Sequence, residues 1–233
     1  GGEGKGNIFH RLSPAEKEGL RRELLLLVAI IKEENLKALM AGMVGCLAAE
    51  ILSDDSSGLG TENQWPELVP HLFELYQAGD GANIVSVFQI LDPIFAATMV
   101  SMKSHVAELA KLFDSVFTTG NVRTKIVALE TFVTFVQAIK RKDLKYIKKM
   151  KQLLRDFMVE LISNFKDYEN ELESAVGFLN DIAEVEPGYF KGDFDSWIEI
   201  VAKMRDLSSD SDSLLKTLGI ELLLPVLEAF PEL

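Results

Sequence analysis

Cysteine is nearly absent: the 233 residues contain one, Cys46. No disulfide can form within the chain, and no Asn-x-Ser/Thr glycosylation acceptor occurs, so the composition fits a reducing compartment. Cys46 lies in the apolar run Met43 to Ala49, which predicts a small, inert core residue. Long apolar runs are missing too. Leu24 to Ile31 is the longest, at about eight residues, where a membrane-spanning helix needs roughly twenty, so no membrane insertion is expected. Positive charge is in deficit: 24 Lys and Arg face 36 Asp and Glu, for a net charge of −12. A nucleic-acid binder needs a basic face, so direct nucleic-acid binding is not expected. The excess of acid suits a basic partner, or serves solubility alone. The opening Gly1-Gly2-Glu3-Gly4-Lys5-Gly6 reads as a flexible lead over residues 1–12, not a signal peptide.

Catalytic and metal constellations are also lacking. His10, His71 and His105 stand apart, with no partner at the i, i+4 spacing of a helical metal site. Gly58-Leu59-Gly60 has no following Gly-Lys-Ser/Thr and no third glycine, so it is not a phosphate loop. Asp210-Ser211-Asp212 lacks the glycine and glutamate of a calcium loop and reads as a helix cap. No catalytic residue, metal ligand or cofactor site is expected, and the chain does not read as an enzyme.

Helical periodicity is abundant, and strand alternation does not appear. Ser13-Pro14-Ala15-Glu16 carries a capping box with proline at the first helical position, opening a helix to about Lys32. Further helices are expected over about 35–53, from Trp65-Pro66 to Ala78, from Ala82 with an interruption at Pro93, over 102–118 with Gly120 as its C-cap, over 122–139, 143–165, 168–185, 193–207 and 210–230. These form five pairs whose second helices start near 35, 82, 121, 168 and 210. A period of about 40–47 residues is that of HEAT or armadillo units, in which stacked helical hairpins bury a continuous core. The expected fold is all-α, a HEAT-repeat solenoid (α-α superhelix) of about five antiparallel pairs over 13–233. Both ends stay apolar, as in a segment of a longer solenoid. A compact helical bundle is the rival with the same periodicity.

Two charge patterns are candidates for binding. Lys140, Arg141, Lys142, Lys145, Lys148, Lys149, Lys151 and Arg155 cluster. If that stretch is one α-helix, Arg141, Lys145, Lys148 and Arg155 share a face able to grip an acidic partner, or simply a solvated one. Glu173, Asp181 and Glu184 recur at helical spacing opposite Leu172, Val176, Leu179 and Ile182, and in the next pair Asp210, Glu221 and Glu228 share a side. If second helices line the inner curve, these carboxylates form a ladder suited to Lys/Arg-rich segments. Ordinary solvated carboxylates would show the same spacing.

The stretch Ala48-Ala49-Glu50-Ile51-Leu52, an acidic Ser/Gly loop, and then "NQWPELVPHLFEL" (Asn63 to Leu75) resembles the importin-β (karyopherin-β) family, with "SAVGFLNDIAEVEPGYF" (Ser174 to Phe190) resembling a second helix and exit turn there. The nearest branch is karyopherin beta-3, which imports basic cargo. The resemblance implies that Trp65 and Pro66 anchor a helix start, while Leu68, Leu72 and Phe73 face a neighbouring repeat. It also implies a nuclear import receptor that shuttles between cytoplasm and nucleus and binds basic protein cargo, Ran GTPase and nucleoporin Phe-Gly repeats. Repeat period alone permits a second reading, a generic HEAT scaffold such as a phosphatase or chromosome-organising subunit. The Trp-Pro-Glu-Leu stretch favours the receptor.

Overall fold

The computed structural model describes residues 11–53, 65–98, 102, 104–207 and 214–233. His10, Gly58-Leu59-Gly60, Asn63-Gln64 and Asp210-Ser211-Asp212 lie outside the described residues, as does the Arg141 side chain. Every regular element among the described residues is helical. The chain divides into two units, residues 1–94 and 95–233.

The first unit carries α1 (Pro14–Ile30), α2 (Glu34–Ser53), α3 (Leu68–Gln77) and most of α4 (Gly81–Thr98). The capping box forms as its sequence dictates. Ser13 N donates to Glu16 Oε2 at 2.7 Å, and Glu16 N donates to Ser13 Oγ at 3.4 Å. The Ser13 hydroxyl also donates to Glu16 Oε2, at 2.7 Å, and this bond, with the one from Ser13 N, holds the Glu16 carboxyl below its ordinary pKa. Helix α1 packs on both α2 and α3, so two hairpins share it. Pro93 does not interrupt α4, contrary to the sequence expectation: the helix continues through it to Thr98. A proline forfeits one ladder bond, but here its ring packs on Gly45 of α2. A Cβ at Gly45 would lie 2.6 Å from Pro93 Cγ and 2.8 Å from Ile90 O. Glycine is therefore required where α2 meets Ile90 and Pro93 of α4. The turn between α3 and α4 uses Gly79 in the left-handed region, φ 73°.

Over 18-residue windows, α2 and α4 reach mean hydropathies of 1.6 and 1.3, enough by length and composition to cross a membrane. Unbroken apolar runs understate α2, because Gly42 and Gly45 divide its apolar residues. Core helices of a stack meet the same threshold, and α2 buries Ala41, Val44, Gly45, Ala48, Ile51 and Leu52 within the protein. Cys46 falls on the other side of α2 and is exposed, not a core residue. The apolar run around it is longer than one helical face, so some of its members must face outward.

The second unit holds α5 (Val106–Thr119), α6 (Val122–Ala138), a 3₁₀ segment (Arg141–Ile147), α7 (Met150–Ser163), α8 (Glu169–Val185), the short α9 (Gly188–Lys191), α10 (Phe194–Leu207) and α11 (Leu214–Ala229). Its contacts define two layers. First helices α5, α7 and α10 lie side by side in one, and second helices α6, α8 and α11 in the other. Aromatic side chains form an internal chain through α5, α6, α9 and α10. Phe95 meets Phe135, Phe113 meets Phe132 and Phe135, Phe132 meets Tyr189, and Tyr189 leads through Phe190 to Trp197, with centroid separations of 5.1–6.3 Å. Each such pair contributes about 0.5–1.5 kcal/mol beyond area burial.

Helix α5 departs from expectation in where it starts and in how it ends. The fifth helix starts at Val106, after 3₁₀ residues 104–105, and not at 102. Gly120 does cap it, but in an extended conformation (φ −72°, ψ 155°). Its requirement is space: a Cβ there would sit 2.5 Å from Val116 O and 2.6 Å from Thr124 Oγ1.

Candidate interaction surfaces

Trp65 precedes α3 and is 2% exposed. Its carbonyl accepts from Leu68 N at 3.2 Å, closing the turn into the helix. Pro66 is exposed and lies in that turn, because α3 begins at Leu68 and not at Trp65-Pro66. Leu68 and Leu72 are buried, Phe73 half-buried. Trp65 lines a cavity of about 200 Å³ with Glu18, Arg22, Leu25, Leu26, Glu67 and His71. His71 Nε2 reaches Leu25 O at 3.3 Å, tying α3 to α1, so its role is structural. His105 pairs with Glu108 at 2.9 Å at the start of α5.

The five candidate acids fall on two neighbouring second helices. Glu173, Asp181 and Glu184 are on α8; Glu221 and Glu228 are on α11. Asp181, Glu184, Glu221 and Glu228 are exposed and Glu173 half-buried. Asn180 donates from Nδ2 to Leu218 O at 3.2 Å, fastening α8 to α11 beside the row. Partial desolvation of the exposed Asp181 side chain pushes its carboxyl above the ordinary pKa, and the Glu184 carboxylate adds to the shift.

The basic cluster is not one helical face. Residues 141–147 are 3₁₀, and α7 starts only at Met150. Arg155 is removed from any outer face: its Nη1 lies 2.9 Å from Asp193 Oδ2, and Lys151 Nζ lies 3.7 Å from Asp193 Oδ1. Lys151 Nζ also sits 5.0 Å from the Tyr189 ring centroid. Tyr189 donates its hydroxyl to Ile147 O at 3.4 Å. Burial, with Asp193 and Asp114 nearby, drives its phenol pKa well above the ordinary value. This inward network stitches α7 to α9 and to Asp193, just before α10, and sequence spacing gives no sign of it because Asp193 is distant in the chain. Among the described residues no cluster of His, Cys, Asp and Glu suits a metal.

A family model described as "IPO5-like, TPR repeats" matches residues 32–200. No curated protein sequence matches the chain. Two solved structures share the fold. Kap121p bound to Pho4p superposes with a TM-score of 0.64 at 20% identity. The karyopherin Kap121p bound to the extreme C-terminus of the protein phosphatase Cdc14p gives 0.62 at 20%. Each match covers 98% of this chain and 24% of the other, so the chain spans about a quarter of their length. Repeat spacing agrees with HEAT units and not with the TPR unit of about 34 residues. Second helices start at Glu34, Gly81, Val122 and Glu169, so the intervals are 47, 41 and 47 residues. The described pairs are thus an all-α HEAT-repeat solenoid, and the chain belongs to the IPO5-like branch of the importin-β (karyopherin-β) family.

Proposed function

We propose that the chain is part of a nuclear import receptor and binds basic segments of protein cargo through the acidic row Glu173, Asp181, Glu184, Glu221 and Glu228. The supporting observation is that these carboxylates stand on adjacent second helices held together by the Asn180–Leu218 hydrogen bond. They are largely open to solvent, in a chain of net charge −12. Fixed carboxylates on two rigid helices present a negative surface at no ordering cost to the protein, and the net charge speeds encounter with a cationic segment. Kap121p has been crystallised with bound protein partners, Pho4p and the C-terminus of Cdc14p, which supports protein cargo as the ligand class.

Family membership extends the reading. Ran GTPase and nucleoporin Phe-Gly repeats are the further partners, the receptor shuttles between cytoplasm and nucleus, and its work is binding, not catalysis. Ran opposes cargo if its bound state favours a different curvature, since each repeat touches only its neighbours.

The test is a titration of the full-length receptor with a Lys-rich peptide at low and moderate salt. An exposed ion pair contributes only about 0.2–1 kcal/mol, so a single reversal changes little. Reversing Glu173, Asp181 and Glu184 to Lys together weakens binding clearly and flattens its salt dependence. Equal affinity of parent and triple variant at both salts would refute the cargo role of these carboxylates. A pull-down with GTP-loaded and GDP-loaded Ran tests the receptor reading separately.

A further inference from the structure

The connection between α6 and α7 runs against the charge of the whole chain. Residues 140–149 contain Lys140, Lys142, Lys145, Lys148 and Lys149, all exposed, in a protein of net charge −12. Its backbone conformation arranges them. In a 3₁₀ segment residues three apart eclipse, and each turn advances about 6 Å. Lys142 and Lys145 belong to the segment and Lys148 closes it with helical backbone angles (φ −57°, ψ −37°). The three therefore stand in one row with a spacing of about 6 Å. Leu144 and Ile147 eclipse on another face and turn inward, with Ile147 fully buried. Packing of those two side chains fixes which way the lysine row points.

The row is not consumed by internal ion pairs. Lys151 and Arg155 neutralise Asp193. No ion pair holds Lys142, Lys145 or Lys148 among the described residues; Lys145 Nζ rests 4.8 Å from the ring centroid of the half-exposed Tyr146. At the start of the row lies a cavity of about 350 Å³ whose walls include Phe95, Ala97, Val106, Ala138 and Ile139, together with Lys140 and Asp143. Lys140 thus borders both the cavity and the row.

We propose that the Lys142–Lys145–Lys148 row and the adjoining cavity dock an extended acidic segment of a partner protein, with a carboxylate at every second residue and one apolar side chain beside them. The match is metric. An extended chain advances about 3.3–3.4 Å per residue and returns side chains to the same side every second residue, a repeat of nearly 7 Å. Alternate carboxylates meet successive lysines, and the apolar side chain enters the cavity. Screening favours a short segment. At physiological ionic strength charges interact over about 8 Å, so the row acts locally, while an extended polyanion or an anionic membrane would also meet a chain of net charge −12.

The experiment is fluorescence anisotropy with labelled peptides and the full-length receptor, at low salt and at about 0.15 M. Phe-Ser-Glu-Ser-Glu-Ser-Glu should bind, and Phe-Ser-Ser-Ser-Glu-Glu-Glu, of equal charge and composition, several-fold more weakly. Replacing the peptide Phe with Ser should also weaken binding several-fold. The triple variant Lys142→Gln, Lys145→Gln, Lys148→Gln should lose affinity on the order of tenfold. The corresponding triple Arg variant should keep it, which separates lost charge from a folding defect. Equal binding of the two glutamate arrangements, indifference to the Gln variant, or loss in the Arg variant would overturn the proposal. So would tighter binding of an oligonucleotide of equal charge or of phosphatidylserine vesicles, either of which would make the row a site for that polyanion.

Discussion

Lys125 Nζ donates to Glu160 Oε2 at 2.7 Å, joining the second helix of one pair to the first helix of the next. The two ends of this bond differ in environment. Lys125 is 8% exposed and its ammonium lies 5.3 Å from the Phe157 ring centroid. The Glu160 side chain keeps 39% of its surface in water. Removing the acid strands a buried cation, whereas removing the cation leaves a carboxylate that water can serve.

Glu160→Ala should therefore destabilise by about 1–3 kcal/mol and Lys125→Met by less than about 1 kcal/mol. Urea midpoints at unchanged slope measure both. The reverse order would show that the lysine reaches solvent when its partner is gone.

Two glycines one turn apart in α2 should respond with opposite signs. A Cβ at Gly42 meets nothing within 4 Å, so Gly42→Ala should stabilise by about 0.5–1 kcal/mol through helix propensity. At Gly45 the Cβ would meet the Ile90 backbone and Pro93, so Gly45→Ala should destabilise by about 1–3 kcal/mol. Thermal melts of the two variants decide it. Equal shifts would mean that α2 and α4 are not closely packed there.

Asp114 supplies a pH signature. Burial raises its carboxyl pKa above 3.8, only partly opposed by Lys149. The folded chain therefore holds this proton more tightly than the unfolded one, and the site's contribution to stability falls as pH rises from the ordinary value through the raised one. Asp114→Asn removes that loss. Its stability relative to the parent should grow across that window and then level off, as followed by melting at stepped pH. A difference independent of pH would show that the carboxyl is solvated.

Much of the architecture was legible because its determinants are local. The Ser13–Glu16 box, the alternation of buried positions along α8 and the spacing of second helices all follow from residues within a few turns of one another. The "NQWPELVPHLFEL" stretch is local as well: it lies within the family match over residues 32–200, and its Trp65 is buried. Spacing groups the candidate acids only within α8 and within α11; that the two groups are neighbours follows from the packing of these helices, with Asn180 Nδ2 on Leu218 O from another repeat.

By itself the sequence determined an all-α chain of five helix pairs with an acidic balance, because periodicity and composition act over short range. Tertiary structure decided what became of side chains with more than one local option. It turned Cys46 outward, drew Arg155 onto Asp193, carried α4 through Pro93 beside Gly45, and left residues 141–147 as a 3₁₀ turn with its lysines in a row. In each case the decisive neighbour is far along the chain or belongs to another helix. The free energy that chooses between a solvated and a buried placement comes from that neighbour, and only packing brings it near.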